Sequence, residues 1–549
     1  MQDISVLIGG KAGEGLNKAG QIIAHIFGAL GYRVYLYYDY PSLIRGGHNF
    51  SIIRACETPI ASHHDAIDVL LALNQETVTL HQKQLRAGGI LIFDAAFVRA
   101  DGMGIPLTII LEEEKAPAIT RNTGIIGAFC KAIGIRWELL EEVIRKDIAR
   151  QTEQNLAVAR RGYEAVPGVM VVPDLQHKRL PFVTGNEAVA LGLLHGGLTT
   201  YIAYPMTPTS SILHFLAEIA PPFGLKVIHP ENEIAVMLMA IGCAAAGERV
   251  ALGTSGGGFC LMTEGVSLAG MAEVPVVVVM GQRTGPSTGL PTYSGQTELF
   301  FVQHAGQGEF PRFIVAPGNA AEAYSWSAVA LNLAWKYQTP AFILTDKNLS
   351  EGGFSLDLVT SPPSPEWFPP SEGGSSYKRY ALTESGISPF IPFAAPGAVV
   401  KYNGYCHDEQ GISTERPELV TIMQEKLLRK QQSLEKEISN IPSVNRLGVV
   451  DAATTLLCWG SCRGVCEEVA EHRRLRVVQP VVLCPFPVEQ VRRALEGSDR
   501  VIAVEYNATG QLATLMLQHG FTIHHQIHKY DGRPFTIEEL EERVKGVLG

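Results

Sequence analysis

Four short segments carry residue types that could do chemistry. In Glu231-Asn-Glu-Ile-Ala235, two carboxylates precede a run of small and apolar residues that ends at Ala246-Gly247. On spacing alone they favour a helix N-terminus, where the dipole stabilises negative charge. Their neighbours Ile234, Val236 and Met237 are apolar, however, so an uncompensated carboxylate among them is costly, which points to a buried functional carboxyl. In Tyr204-Pro-Met-Thr-Pro-Thr-Ser210, prolines on both sides of Thr207 restrict the backbone, so its hydroxyl can be presented with little ordering entropy. A turn without a ligand is the alternative. Arg283 sits in Gly281-Gln-Arg-Thr-Gly-Pro-Ser-Thr-Gly289, where the chain can turn tightly and a guanidinium can grip a carboxylate through two parallel hydrogen bonds. A surface or interdomain salt bridge is the other meaning of such an arginine. The fourth segment, Thr254-Ser-Gly-Gly-Gly-Phe259, reads as a strand-to-helix glycine turn.

A further glycine cluster, Gly9-Gly-Lys-Ala-Gly-Glu-Gly15, also follows a strand pattern and precedes a helix pattern, the place where backbone N–H groups can hold an anion. Its spacing fails both the dinucleotide fingerprint and the Walker pattern, and Asp39 is a weak imitation of the ribose-binding acid. A plain tight turn and an anion or nucleotide-tail site stay equally open. Arg45, ahead of Gly46 and Gly47, lies in a polar loop where backbone can approach a ligand, or which simply turns for packing. Cys458, Cys462 and Cys466 read as buried structural thiols. The nine cysteines include no C-x-x-C pair, so neither a disulfide framework, a zinc ribbon nor a standard iron–sulfur ligand set is written here.

The elements that must position these residues are α/β. The 549 residues are 46% hydrophobic and 18% charged, enough for several cores and about three or four domains. Val6-Leu-Ile8, Val34-Tyr-Leu36, Val69 to Leu73 and Ile90 to Phe93 alternate with helical patterns over residues 1–175, implying a parallel or mixed sheet. Over 181–350, Val250-Ala-Leu252, Val274 to Val279 and Ala341 to Leu344 are apolar runs that fit a sheet covered on both faces. Residues 351–440 combine an extended Pro- and Ser-rich connection, long enough to cross a partner or another domain, with a helix opening at Pro417 that shows Leu419, Met423, Leu427, Leu434 and Ile438 on one side. A third α/β block spans 441–549. The net charge of −10, without basic runs, argues against nucleic acid. The apolar stretch from Ile234 to Gly247 is too short to span a membrane, and the start of the chain shows no basic n-region, so a cytoplasmic location is expected.

Taken together, the segments resemble the 2-oxoacid:ferredoxin oxidoreductases. The run from Gly9 through Arg45-Gly-Gly-His-Asn49 to Leu73-Asn-Gln-Glu76 looks like the family's gamma part. Tyr204-Pro-Met-Thr-Pro208 resembles the Tyr-Pro-Ile-Thr-Pro motif of its alpha subunit, and Thr254-Ser-Gly-Gly-Gly258 its Thr-Ser-Gly-Pro-Gly loop with Gly257 in place of proline. Trp459-Gly-Ser461, Pro485-Phe-Pro487, Glu505 to Gln511 and Lys529 to Phe535 are similar to its transketolase C-terminal-like domain. The resemblance covers nearly the whole chain. It implies three α/β domains, namely a gamma-type domain, a pyrimidine-binding domain for thiamine diphosphate and a transketolase C-terminal-like domain.

By the same resemblance Glu233 is the catalytic glutamate, whose hydrogen bond to the aminopyrimidine favours the tautomer that deprotonates the thiazolium carbon. Tyr204, Thr207 and Arg283 would bind the substrate carboxylate. Pro205, Thr254, Ser255 and Gly256 would contact the cofactor, and Gly13 and Arg45 would touch coenzyme A. Thiamine enzymes hold the diphosphate through Mg2+ at a Gly-Asp-Gly, which this chain lacks. The chain therefore has no metal site of its own in this reading. A beta subunit is expected to bring the diphosphate site, Mg2+ and a [4Fe-4S] cluster, with ferredoxin as electron acceptor. The fused gamma-alpha layout resembles chains acting on 2-oxoglutarate, ahead of pyruvate and of branched-chain or aromatic 2-oxo acids. Two rivals remain: a nucleotide-binding dehydrogenase, argued only from Gly9 to Gly15, and a noncatalytic assembly subunit, which retention of Glu233, Thr207 and Arg283 opposes.

Overall fold

The computed structural model describes residues 3–43, 47–358, 364–366, 377–393 and 395–549. The chain divides into two compact units. The first comprises 1–184, 351–357 and 535–545, and the second 185–350, 358–534 and 546–549.

Among the described residues the first unit holds an eight-stranded mixed sheet, in the order Met103–Ile105, Leu85–Asp94, Ile67–Ala72, Asp3–Lys11, His48–Cys56, Arg33–Asp39, Gly353–Ser355, Phe182–Thr184. The expected strand runs all lie in it. One expectation fails: the connection after residue 350 does not begin irregularly, because Gly353–Ser355 pairs antiparallel with both Arg33–Asp39 and Phe182–Thr184. Three residues are too few to show a period, and Phe354 earns its place by packing on Tyr35, with ring centroids 5.4 Å apart.

The second unit contains two sheets. The larger has the order Val482–Cys484, Phe313–Val315, Pro340–Asp346, Val276–Gln282, Val250–Thr254, Thr200–Ile202, Lys226–Ile228 and is parallel except at Val482–Cys484. Its central strands are buried along their whole length, as their unbroken apolar sequences require for a sheet covered on both faces. The smaller sheet orders Val444–Gly448, Arg476–Pro480, Thr454–Cys458, Arg500–Glu505 and His525–His528. One apolar cluster runs through both, joining Phe342 and Leu344 to Leu457, Trp459 and Val478. Cys458, Cys462 and Cys466 are buried in this region and carry no disulfide, in keeping with structural thiols.

The helix Pro417–Asn440 starts at its proline, whose fixed φ and missing N–H cost nothing in the first turn. Its seam is not purely apolar. Lys426 and Lys430 are buried in line with Leu434 and Ile438, while Leu419, Met423 and Leu427 are only half-buried. The reason is Glu273, which takes Lys426 Nζ at 2.5 Å on one carboxyl oxygen and Lys430 on the other. Arg379, also buried, donates to the Glu273 carbonyl at 2.6 Å and to Gln338 Oε1 at 2.8 Å. Burial by itself would raise the Glu273 carboxyl, but the charges of Lys430, Lys426 and Arg379 outweigh it and hold the group below the carboxylate range. Burial pulls Lys430 down to about 7 in spite of Glu273. Among the described residues no helix is long and apolar enough to cross a membrane.

Removing one partner from such a cluster strands the others in a dry interior. Glu273→Gln is therefore expected to destabilise the protein by about 3–5 kcal/mol in chemical unfolding at neutral pH. Glu273 titrates lower folded than its ordinary 4.5, so the stabilisation is complete above that value and is lost as the pH falls below it. A variant as stable as the parent at pH 7 would show that the cations do not depend on this carboxylate.

Candidate functional site

The candidate residues of the second unit gather at the carboxyl ends of four adjacent parallel strands, Val276–Gln282, Val250–Thr254, Thr200–Ile202 and Lys226–Ile228. That edge is where open parallel sheets bind ligands. Each loop leaving it carries one of the segments singled out above.

Asn186, fully buried at the start of the helix Gly185–His195, anchors the loop after Thr200–Ile202. Its Nδ2 donates to Pro208 O and to Ser211 Oγ, both at 2.7 Å. Gly281 lets this loop approach the neighbouring strand, for a Cβ there would lie 2.7 Å from Thr209 Cγ2 and 2.8 Å from Pro208 Cγ. The result brings Thr207 to Arg283, whose Nη1 donates to the Thr207 carbonyl at 3.0 Å. The sequence pairing of these two residues thus reappears as a contact, made through the backbone and not the hydroxyl. Burial depresses the Arg283 guanidinium, with the Glu298 charge working in the opposite direction. Tyr204 points elsewhere: it is exposed and meets His229 edge-on at 5.9 Å, and Pro205 beside it is half-buried.

Glu233 is the first residue of the helix Glu233–Ala245, capped by Asn232, whose side chain accepts the Ala235 N–H at 2.9 Å. The helix-start reading of the two glutamates therefore holds for Glu233. Yet a carboxylate that served only the dipole would face solvent, and Glu233 is 6% exposed. Of its expected apolar neighbours, Val236 and Met237 are buried and Ile234 is exposed. Its side chain lies against Gly258, where a Cβ would sit 2.8 Å from Glu233 Oε1 and collide with the Thr254 hydroxyl. Among the described residues it has no ion pair or hydrogen-bond partner. A buried carboxylate without a partner is costly in the free protein and is stabilised when a ligand supplies the missing donor.

Thr254 and Ser255 are fully buried, and the Ser255 hydroxyl has no partner although it precedes the helix Gly256–Met271 as its cap residue. Across Gly256 stands Glu298, which the sequence reading missed. Its Oε1 would lie 3.0 Å from a Cβ on Gly256, its Oε2 is buried and unpartnered, and burial pushes its carboxyl up to about 7. Nothing local marked Glu298, since it occupies a polar loop 15 positions beyond Arg283 and is folded back by pairing of its own N–H with Gln282 Oε1 at 3.1 Å.

Gly13 lies in the first unit with φ +88 and nothing within 4 Å of its would-be Cβ. The amide of nearby Lys11 is already taken by Glu14 Oε2 at 2.7 Å, and Asp39 accepts the Tyr37 hydroxyl at 2.8 Å. Arg45 lies outside the described residues. Among the described residues no three His, Cys, Asp or Glu side chains are grouped to hold a metal ion. A cavity of about 750 Å3 between the helices Glu233–Ala245 and Gly256–Met271, lined by Ile234, Met237, Leu238, Leu261 and Phe301, contains none of the candidate residues.

Comparison with known proteins gives a consistent picture. Residues 192–426 match the family model described as pyruvate flavodoxin/ferredoxin oxidoreductase, thiamine diP-bdg, and residues 5–165 that of pyruvate ferredoxin/flavodoxin oxidoreductase. The chain is 30% identical to a 2-oxoacid:ferredoxin oxidoreductase subunit alpha of Saccharolobus solfataricus, over 99% of this chain and 98% of that one. It is 32% identical to 2-oxoacid:ferredoxin oxidoreductase 2, subunit alpha, of Aeropyrum pernix, over 100% and 98%. Its fold superposes with a TM-score of 0.89 and 28% identity, over the whole of both chains, on a 2-oxoglutarate:ferredoxin oxidoreductase from Magnetococcus marinus solved with 2-oxoglutarate, coenzyme A and succinyl-CoA bound.

The glycine at 258 is the geometric condition for the place of Glu233. Gly258→Ala is expected to cost about 1–3 kcal/mol and to turn the Glu233 side chain out of its seat, visible in a crystal structure of the variant. An unmoved Glu233 at parental stability would disprove the close fit.

Proposed function

Because the chain belongs to the family of 2-oxoacid:ferredoxin oxidoreductase alpha subunits, we propose that Thr207, Glu233, Thr254, Ser255, Gly256 and Arg283 form its half of an active site for oxidative decarboxylation, with 2-oxoglutarate as the substrate. The observation that carries this reading is the Arg283 guanidinium held at Thr207 on the same strand edge as a buried, unpartnered carboxyl, Glu233. The substrate choice is supported by the Magnetococcus marinus enzyme, which was solved with 2-oxoglutarate bound and matches this chain along its full length.

The residues present fit the aminopyrimidine end of thiamine diphosphate. Glu233 offers a carboxyl in need of a partner, the Ser255 hydroxyl another unpaired polar atom, and the glycines at 256 and 258 leave the surface bare of side chains. When bound, the cofactor supplies the nucleophilic carbon that adds to the 2-oxo group and the sink for the electrons released with CO2. Glu233 holds a proton at its carboxyl towards the ring nitrogen. Arg283 gives one N–H to the Thr207 carbonyl and keeps the others for the substrate carboxylate, with Thr207 as a further substrate contact and Tyr204 one that must turn from His229 to reach it. Burial of the guanidinium strengthens that charge-assisted pair.

The diphosphate end has no cradle here, since no Gly-Asp-Gly exists in the chain. A beta subunit brings Mg2+, the diphosphate contacts and a [4Fe-4S] cluster that passes electrons singly to ferredoxin. The exposed apolar side chains Ile234, Leu238 and Leu261, on the two helices that begin at Glu233 and Gly256, give such a partner a surface next to the cofactor. Coenzyme A takes the acyl group to give succinyl-CoA, with Gly13 and Arg45 as contacts.

In the assembled complex, Glu233→Gln is expected to lower 2-oxoglutarate-dependent ferredoxin reduction by at least about 100-fold. Near-normal turnover would remove Glu233 from the chemistry. Arg283→Lys should raise the KM for the 2-oxo acid on the order of tenfold, because one lysine cannot serve Thr207 and a carboxylate in the same plane. The chain purified alone should bind thiamine diphosphate weakly or not at all in a calorimeter; tight stoichiometric binding would overturn the divided site.

A further inference from the structure

Glu298 has no part in the function just proposed, yet it occupies the ground between the two halves of the site. It stands over Gly256, at the start of the helix Gly256–Met271, with Oε2 buried and unpartnered. Its peptide is fixed from two sides: Gln282 Oε1 accepts its N–H at 3.1 Å, and the Thr297 hydroxyl before it donates to the Arg283 carbonyl at 3.4 Å. The side chain is therefore tied to the strand end that carries Arg283, close enough for each charge to act on the other, without a salt bridge between them.

Among the described residues, Arg283 is the one charged group that acts on the Glu298 carboxyl. Thr297 and Gln282 are neutral, as is Gln511, which reaches the same loop from the helix Gln511–Gln518 and donates to Thr297 O at 2.8 Å. The helix Gly256–Met271 presents Ser255 and Gly256, both uncharged. Glu233, the other carboxylate at this helix start, meets Gly258 instead. Burial opposes ionisation and dominates, the Thr297 contacts and Arg283 favour it, and the balance leaves the carboxyl at about 7.

We propose that Glu298 is a positioning residue for substrate binding: its carboxyl is the counter-charge of Arg283 in the empty site, and it is displaced from that role by the 2-oxo acid carboxylate. The inference rests on the function proposed above. Two anions then compete for one guanidinium. Where Glu298 is protonated, Arg283 is open to the substrate. Where it is ionised, the substrate must enter against a buried negative charge, and binding draws a proton onto Glu298. No bond to carbon is made or broken by this step; one proton moves from solvent to the carboxyl.

The sign follows from linkage. Substrate affinity is greatest below the Glu298 titration and falls as the pH rises through about 7. The test uses the assembled complex, with the KM for 2-oxoglutarate and the inhibition constant of glutarate, an unreactive dicarboxylate, measured from about pH 6 to about pH 8.5. Both constants should rise several-fold in the parent, up to about tenfold per pH unit at the limit. Glu298→Gln, neutral and of the same shape, should flatten both profiles, and its difference from the parent should appear in KM and not in kcat. Glu298→Asp should keep the rise. A Glu298→Gln complex whose profiles parallel the parent's overturns the proposal, as does a parent with flat profiles or a variant that loses kcat at every pH with KM unchanged. A parent complex that reduces ferredoxin with no 2-oxo acid sinks the proposed function itself, an outcome separable from the others.

Discussion

Gln296 is the residue on which the site edge depends. Its side chain is fully buried and spans two blocks of the second unit: Nε2 donates to Trp459 O at 2.8 Å, while Oε1 accepts the Tyr506 N–H at 3.0 Å. Its own N–H donates to Tyr506 O at 2.8 Å, and its carbonyl accepts Asn507 Nδ2 at 3.1 Å. Every polar atom of the residue is thus spent on the block that begins near residue 441. Buried bonds of this kind contribute little net energy when made, about 1 kcal/mol each, but leave costly orphans when broken. They act as a latch. The loop between Arg283 and Glu298 is rich in Gly, Ser, Thr and Pro and is pinned internally by an isolated bridge between Thr284 and Leu290 and by Thr284 Oγ1 on Ser294 O, and its ties at Gln296 and Ser294 help fix where both charged residues stand. Gly460 is part of the same requirement, with φ +52 and a would-be Cβ 2.7 Å from Gln296 Nε2.

The carboxylate of Glu505 extends the latch. It accepts Trp459 Nε1 at 3.1 Å, Asn507 Nδ2 at 2.9 Å and the N–H groups of Leu512 and Ala513 at 2.8 and 3.0 Å. Those two amides belong to the first turn of the helix Gln511–Gln518, so the charge sits at a helix N-terminus with its lone pairs satisfied. Contrast Glu233, which also begins a helix but has no donor of its own. Two buried glutamates near helix starts are thus separated by partner count, Glu505 with four donors and Glu233 with none among the described residues. The tail motif works similarly, since Gly532 O accepts the Ser294 N–H at 2.8 Å and Arg533 stacks on Tyr293 at 4.5 Å. Trp459, Tyr506, Asn507 and Gly532, all in segments that carried family resemblance, hold the loop between Arg283 and Glu298 by hydrogen bonds.

This division explains what was legible in the sequence. Strands buried on both faces announce themselves through unbroken runs such as Val276 to Val279, because nothing polar can be tolerated there. In the sequence Thr207 and Arg283 stood out because proline or glycine lies close to each, and Glu233 because its neighbours Ile234, Val236 and Met237 are apolar. Glu298 was not, for its importance is entirely spatial: it stands 15 positions from Arg283 in a loop whose course depends on Gln296. Lys426 and Lys430 were misleading for a related reason. On helical periodicity a lysine reads as solvent-facing, and only the buried carboxylate of Glu273 beneath the helix reverses that. Gly258 was legible as part of a glycine turn, but not the contact it permits, since the side chain involved stands 25 positions earlier.

Unsatisfied buried polar groups weaken a fold, and the structure shows how the cost is contained. The orphan atoms Ser255 Oγ and Glu298 Oε2 flank Gly256, and the unpartnered Glu233 lies two residues further along the same helix start. Ser255 Oγ and Glu298 Oε2 would each cost about 1–3 kcal/mol as a buried orphan, a large share of the margin that keeps a domain folded. Grouping them at one helix N-terminus limits the loss, because the exposed amide dipoles there partly solvate negative charge. Burial pushes the Glu298 carboxyl up to about 7, so near neutrality it carries only part of its charge, and Arg283 is the counter-charge for that part. The same orphans prime the edge: a polar ligand that reaches Ser255 Oγ or Glu298 Oε2 supplies a missing hydrogen bond instead of competing with an existing one.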